Sequence, residues 1–460
     1  MPLTDQQRRR LIGNIRGIPS GFALLILCGA VLLWLPWMHR SGVSVSFLDS
    51  LFLSTSAVCV TGLSTFNVAE TLSLPGQIVL LLLIQLGGVG IMTAGTLFLI
   101  LSGRRLTLAD EHLIRNTVGG LRTVTPLAIF LHALGFVVFI ELIGAVALYW
   151  LPGSAGGTGY HELWNAVFHS VSAFCNAGLS VFPEGLARWE GDSARLAVVA
   201  LLVVAGGIGL LALVNFRFYY FWKRDRRARG YLTLQTRLSL VLTAALLLAG
   251  GLFTLGWEWN NTLAGLPAAH RVGEAFFHST MTRTAGFNTI DVGAMQAPTL
   301  FGTMALMFIG GAPGSMAGGI KTVTFAMLVL AAWAALRRRP AIVLWGRSIP
   351  EKQVATAILF ALLAAGFVFA CMLVLMATES GAPSVATPHH WLGLMFEAVS
   401  AFGTVGLSTG VTPLLTAPGK IVIIGLMFVG RVAPLVVGLF LARPPAYSGV
   451  RYPPETLTFG

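Results

Sequence analysis

Apolar residues along this chain come in runs of two lengths, and the two lengths alternate. Long runs cover residues 21–38, 75–101, 126–151, 194–222, 238–257, 298–336, 353–377 and 418–442. Each is long enough to cross the roughly 30 Å hydrocarbon layer of a bilayer as a helix. Between the members of each successive pair lies a shorter apolar segment of about a dozen residues, which as a helix rises only about 18 Å and falls short of a crossing. All four short segments end in one frame, Phe-x3-Ser/Thr-x5-Gly-Leu/Phe-Ser/Asn. The copies read Phe52, Ser56, Gly62, Leu63, Ser64; Phe168, Ser172, Gly178, Leu179, Ser180; Phe276, Thr280, Gly286, Phe287, Asn288; and Phe396, Ser400, Gly406, Leu407, Ser408. The glycines recur after 116, 108 and 120 residues, and periods this long and regular mean duplicated structural units. The pattern predicts an all-α integral membrane protein of four parallel membrane-pore-membrane repeats, with eight transmembrane helices and four re-entrant pore helices around a pseudo-four-fold axis. The repeats divide at 1–101, 102–222, 223–336 and 337–442, and a tail follows over 443–460.

Two spans per repeat give every copy the same orientation, unlike inverted repeats, which need an odd number. Composition agrees: 55% of residues are hydrophobic and 10% charged, with mean hydropathy +0.80, more apolar surface than one soluble core of 460 residues can bury. The net charge of +12 would suit nucleic acid, but the basic residues sit in short loops. Arg8, Arg9, Arg10 and Arg16 precede the first run; Arg104, Arg105, Arg115 and Arg122 separate repeats one and two. Arg217, Lys223, Arg224, Arg226, Arg227, Arg229 and Arg237 fill the second gap, Arg337, Arg338, Arg339, Arg347 and Lys352 the third, and Arg443 and Arg451 the tail. The opposite side holds only Arg40, Arg188, Arg195, Arg271 and Lys420. The positive-inside rule therefore predicts a multi-pass protein of the cytoplasmic (inner) membrane with both termini in the cytoplasm, and no nucleic-acid partner. The first run begins too late, and too near a basic segment, to read as a cleaved signal. Cys28, Cys59, Cys175 and Cys371 lack metal-site spacing and read as small apolar fillers, with a Cys59–Cys175 disulfide as the minor alternative.

Backbone that returns from a re-entrant helix must line a wet cavity or be buried in protein. Rings of backbone carbonyls replace the water around an alkali cation without any charged side chain, and glycine permits the path because it reaches positive φ and lacks a Cβ. The segments that would form such a filter are Val60-Thr61-Gly62, Asn176-Ala177-Gly178, Thr284-Ala285-Gly286 and Thr404-Val405-Gly406. Pore helices running inward aim their partly negative C-termini at the pathway, which favours a cation. Arg283 opposes that charge unless it sits behind the filter, bonded to carbonyls or to Glu274 or Asp291 as a brace.

A second feature falls 24 to 28 residues after each filter glycine, halfway down the second span: Gly87-Gly88, Gly206-Gly207, Gly310-Gly311 and Gly430-Arg431. The third copy continues to Lys321 as GGAPGSMAGGIK, a composition that cannot stay helical. We expect a break just beyond the filter: an intramembrane gating loop over 310–320 built on Gly310, Gly311, Pro313, Gly314, Ser315, Gly318 and Gly319. Arg431, an intramembrane arginine, is a functional-site candidate by default, with loop carbonyls and Ser315 as expected partners. The competing view is a passive kink beside a snorkelling arginine.

The segments TSAVCVTGLS, HSVSAFCNAGLS, HSTMTRTAGFNT and EAVSAFGTVGLST resemble the filter segments of the Trk/Ktr/HKT superfamily of potassium transporters, Arg283 included, and the likeness covers nearly the whole chain. It implies potassium as the transported ion, coordinated by the twelve residues of the four triplets, and a gate over Gly310 to Gly319 facing Arg431. It leaves open sodium as a coupling or activating ion, and with it symport. The early first filter and the ending RYPPETLTFG are similar to the Ktr type of membrane subunit. That type implies a homodimer seated on a cytosolic nucleotide-binding regulatory ring, which the basic loops would meet unless they contact anionic lipid heads.

An enzyme finds little support. GSMAGGIKT misses the phosphate-binding pattern because Ile320 stands where Lys should follow directly, and no HExxH occurs. His169 and His278 fall at unequal offsets and read as structural, and GSAGGTG over 153–159 as an outer loop. A sodium-selective or weakly selective pore is the nearer rival, since sequence does not fix which cation a filter prefers.

Overall fold

The computed structural model describes residues 5–101, 126–151, 160–209, 212, 233–339, 341–381 and 390–441. Most of the basic inter-repeat stretches, the GSAGGTG segment and the RYPPETLTFG tail lie outside the described residues.

Helices occupy each predicted place. In chain order they are α1 (Asp5–Trp34), α2 (Phe47–Cys59), α3 (Leu74–Leu101), α4 (Pro126–Trp150), α5 (Tyr160–Phe174), α6 (Ser193–Ile208), α7 (Leu234–Glu258), α8 (Ala268–Met281), α9 (Ala297–Phe308), α10 (Thr322–Leu336), α11 (Glu351–Thr378), α12 (His390–Gly403) and α13 (Ala417–Leu441). The starts carry local signals. Ser46 accepts the N–H of Asp49 at the head of α2, Asp192 that of Arg195 at α6, and Thr233 that of Thr236 at α7. Among the described residues, Leu234–Glu258, Glu351–Thr378 and Ala417–Pro434 are each long and apolar enough to cross a membrane unaided. The run over 298–336 is not one helix: it breaks between α9 and α10, as its glycines predict. The run over 194–222 also departs from expectation, because α6 stops at Ile208 and Gly209 takes φ 90°. A further departure is a two-stranded hairpin, β1 (Ile342–Leu344) with β2 (Arg347–Ile349), in a stretch that reads from sequence as a basic loop.

Burial runs opposite to that of a soluble protein. Large apolar side chains such as Leu24, Phe139, Leu201, Leu362 and Phe369 cover the outside at 60% exposure or more. Inside, Phe52, Phe168 and Phe396 surround polar residues that are themselves buried, among them Ser56, Thr61, Asn176, Thr284 and Thr404. An apolar exterior enclosing a polar axis is what a helix bundle needs when its solvent is hydrocarbon.

The short helices α2, α5 and α8 are tied to the long ones by one repeated device. Ser54, Ser170 and Ser279 donate their hydroxyls to the carbonyls of Ile26, Glu141 and Leu247. The approach depends on Gly29, Gly144 and Gly250, where a Cβ would collide with those same three hydroxyls. This device corrects the third frame. Ser279, not Thr280, matches Ser54 and Ser170, so Phe277 is the counterpart of Phe52 and Phe168, and the third copy has one residue fewer before its glycine. Thr280 instead bonds back to the Phe276 carbonyl within its own helix.

Candidate functional site

Each short helix ends in the same backbone path. Val60, Asn176, Thr284 and Thr404 take φ of 55, 61, 64 and 47°, and Gly62, Gly178, Gly286 and Gly406 take 99, 65, 71 and 96°, whereas the residue between each pair does not have positive φ. Alternating the sign of φ turns successive peptide planes so that neighbouring carbonyls face one way instead of opposite ways. A non-glycine residue at positive φ is uncommon, a β-branched one more so, and here one recurs in each of the four copies.

The glycines meet one another. A Cβ on Gly62 would lie 2.7 Å from the Ala177 carbonyl oxygen and 3.2 Å from the Cα atoms of both Gly178 and Gly406. One on Gly178 would lie 2.6 Å from the Ala285 oxygen, one on Gly286 would strike the Val405 oxygen, and one on Gly406 the Thr61 oxygen. The contacts run 62 to 178 to 286 to 406 and back to 62, a ring closed in chain order, lined at its seams by main-chain carbonyls.

The frame hydroxyls hold this ring in two copies. Ser56 and Ser400 accept the N–H of Gly62 at 3.0 Å and Gly406 at 3.1 Å. Ser172 donates to the Leu179 carbonyl at 2.8 Å. Behind the ring, the paired glycines of the long helices let those helices reach the ends of the short ones: a Cβ on Gly87, Gly206 or Gly430 would run into the carbonyl oxygen of Val58, Phe174 or Phe402.

Residues 309–321 form a loop that touches all three other copies. The N–H groups of Ala312 and Met316 donate to the carbonyls of Gly207 at 2.9 Å and Gly206 at 3.1 Å. Space for a Cβ on Gly318 is taken by the Thr404 hydroxyl, and Met316 Sδ lies 3.0 Å from the Cβ position of Gly88. Copies one, two and four thus meet at this one segment. Its ends are pinned by Gly310 N–H to Ile320 at 2.7 Å and Thr322 N–H to Gly311 at 3.0 Å.

Three cations hold carbonyls of this segment. Arg283 donates to Ile309 at 2.5 Å and Gly310 at 2.6 Å, Lys321 to Ala317 at 2.5 Å, and Arg431 to Met316. Arg283 therefore is the carbonyl-bonded brace, and neither Glu274 nor Asp291 is its partner: Glu274 accepts from Thr289 and from the Gly191 N–H at 3.1 Å. Ser315 is likewise not the partner of Arg431; its hydroxyl donates to Ala312. Arg431 is 2% exposed, and its Nε and Nη2 are buried without a partner. Among the described residues, neither arginine nor Lys321 pairs with a carboxylate.

Sequence reading missed Lys321 as a loop ligand and missed the group around Cys175. That thiol contacts Gln85 at 3.4 Å and Glu141 at 3.6 Å, and Gln85 donates to Glu141 at 3.0 Å. The available signal was the offset: Cys59, Cys175, Arg283 and Gly403 each stand three residues before a ring glycine. Cys59 and Cys175 are free thiols, so the disulfide alternative falls. His169 is held by the Asn165 carbonyl and Ser180, and His278 meets Thr303, as structural histidines.

Residues 20–446 match the family model TrkH, described as a cation transport protein. The chain belongs to that family. It is 34% identical over 465 residues to the potassium/sodium uptake protein NtpJ of Enterococcus hirae, with all of both chains covered. It is 34% identical to the Ktr system potassium uptake protein B of Vibrio alginolyticus, over 97% of this chain and 95% of that one, and of Bacillus subtilis, over 97% and 98%. The crystal structure of the potassium transporter TrkH from Vibrio parahaemolyticus superposes with TM-score 0.68 over 93% of this chain and 85% of that one, at 20% identity, a likeness of fold. As a TrkH-family member the chain is a multi-pass membrane cation transporter and not an enzyme.

Proposed function

We propose that the protein takes up potassium across the cytoplasmic membrane through a selectivity filter formed by the carbonyls of the four triplets. The observation that carries the reading is the closed glycine ring, with the same alternation of φ in four segments of unlike side chains. Main-chain oxygens in a ring replace hydration water, and no side chain need be shared among the copies. Four membrane-pore-membrane repeats with the boundaries given above then surround one ion path, with the basic ends in the cytoplasm.

The loop over 310–320, with Arg431, acts as the gate. It crosses the axis behind the ring, and three cations without carboxylate partners among the described residues place positive charge on the route of a cation. Opening requires the loop to leave its contacts with Arg431, Gly206 and Gly207, so Arg431→Ala raises flux. A homodimer seated on a cytosolic nucleotide-binding ring belongs to the same reading and rests on the resemblance to the Ktr type of membrane subunit. Sodium transport is the second reading, favoured by the name of the Enterococcus relative.

The test is rubidium uptake into liposomes containing the purified protein, with potassium or sodium as competitor. Potassium alone should compete, and Gly62→Ser or Gly406→Ser should erase that preference. Equal competition in the wild type reassigns the ion to either cation; unchanged preference in both variants removes the filter.

A further inference from the structure

The β1–β2 hairpin carries an aromatic residue where the backbone disfavours one. Leu344 pairs with Arg347, which leaves Trp345-Gly346 as a two-residue turn, and both have positive φ, 47° and 75°. Such turns favour Asn-Gly, because a bulky L side chain is strained in the left-handed region. A strained residue kept at a tip calls for a use. The inner face of the hairpin is accounted for: Ile342, Leu344 and Ile349 pack on Leu238, Met327 and Ala357 of α7, α10 and α11. The outer face is not. Val343 is 57% and Trp345 49% exposed, and at the end of α10 Trp333 is 54% exposed with the Arg337 guanidinium 4.7 Å from its ring centroid.

Charge surrounds this face. Arg337, Arg338, Arg339, Arg347 and Lys352 are exposed, and Glu351 is the sole acid between Ala331 and Lys352. The depth is set by Leu238 and Ala357, which lie within the first two turns of long apolar helices, where hydrocarbon gives way to headgroups. Tryptophan prefers that level, having an apolar ring and an N–H donor, while arginine pairs with phosphate through two parallel hydrogen bonds.

We infer that this hairpin is a binding site for anionic phospholipid headgroups of the leaflet it faces, with Trp345 and Trp333 seated among the headgroups and the arginines on their phosphates. The inference rests on the reading that this end of the bundle is cytoplasmic, where anionic lipid attracts basic segments. A protein partner is the other occupant of such a surface; the level of the rings with the helix ends favours lipid.

The test uses the full-length protein in vesicles of zwitterionic phospholipid, with or without phosphatidylglycerol, bearing brominated acyl chains that quench tryptophan. The variant is Trp345→Asn, since asparagine suits the left-handed turn and leaves the fold intact. With anionic lipid present, the variant should lose a measurable share of the bromine-quenchable emission, the share that Trp345 contributes among the lipid-facing tryptophans. Arg338→Gln/Arg339→Gln/Arg347→Gln should lose the dependence on anionic lipid. Equal quenching in wild type and Trp345→Asn, or quenching indifferent to phosphatidylglycerol, overturns the proposal and returns the face to a protein partner. Quenching is read without ion flux, so a failure here is distinct from a failure of the uptake reading.

Discussion

Ser56 and Ser400 each hold the amide of a ring glycine, while the third copy, one residue shorter, puts Met281 in their place and leaves Thr280 bonded back to the Phe276 carbonyl. Removing an acceptor from a buried amide costs about 1–3 kcal/mol. Ser56→Ala and Ser400→Ala should therefore weaken the preference for potassium in competition uptake, and Thr280→Ala should leave it unchanged. The glycines of the ring were legible in sequence because four of them share one offset, and the reason is now visible as contact between them. The left-handed residues before them were not. Val60, Thr284 and Thr404 are β-branched, and such side chains argue against positive φ. Nor was the slip in the third frame, since Phe276 and Thr280 satisfy the pattern while the true counterparts, Phe277 and Ser279, sit directly beside them.

The broken helix between α9 and α10 could be read directly from five glycines and a proline, whereas the early end of α6 could not, because the apolar run continues past Gly209 to residue 222. The hairpin was hidden by its arginines, which mimic a loop. At this scale the paired glycines make a quantitative prediction. A Cβ at Gly87, Gly206 or Gly430 collides with a short-helix carbonyl, while one at Gly366 in α11 meets nothing within 4 Å. Overpacking costs about 1–3 kcal/mol, and an unobstructed Gly→Ala change in a helix interior gains roughly 0.5–1 kcal/mol. Thermal unfolding in detergent should fall for Gly430→Ala and Gly206→Ala, and hold or rise for Gly366→Ala.

The first and fourth copies must meet for the ring to close, and among the described residues one ion pair joins them: Lys420 lies 2.7 Å from Asp49. Burial raises the Asp49 pKa, but hydrogen bonds from Lys420 and Ser46 outweigh it and leave the carboxyl below its ordinary value. A lowered folded pKa contributes stability above the unfolded pKa that is lost as pH falls through the folded one. Lys420→Met should then cost at most about 1 kcal/mol near pH 7, as a partly exposed pair does, and the difference from wild type should vanish in acid below the aspartate range. The closed ring has one more consequence. Because its quadrants belong to a single polypeptide, one codon alters one quarter of the aperture, so substituting Gly62, then Gly178, then the others in turn would titrate the damage in steps of a quarter, a graded experiment that a pore of four identical chains does not permit.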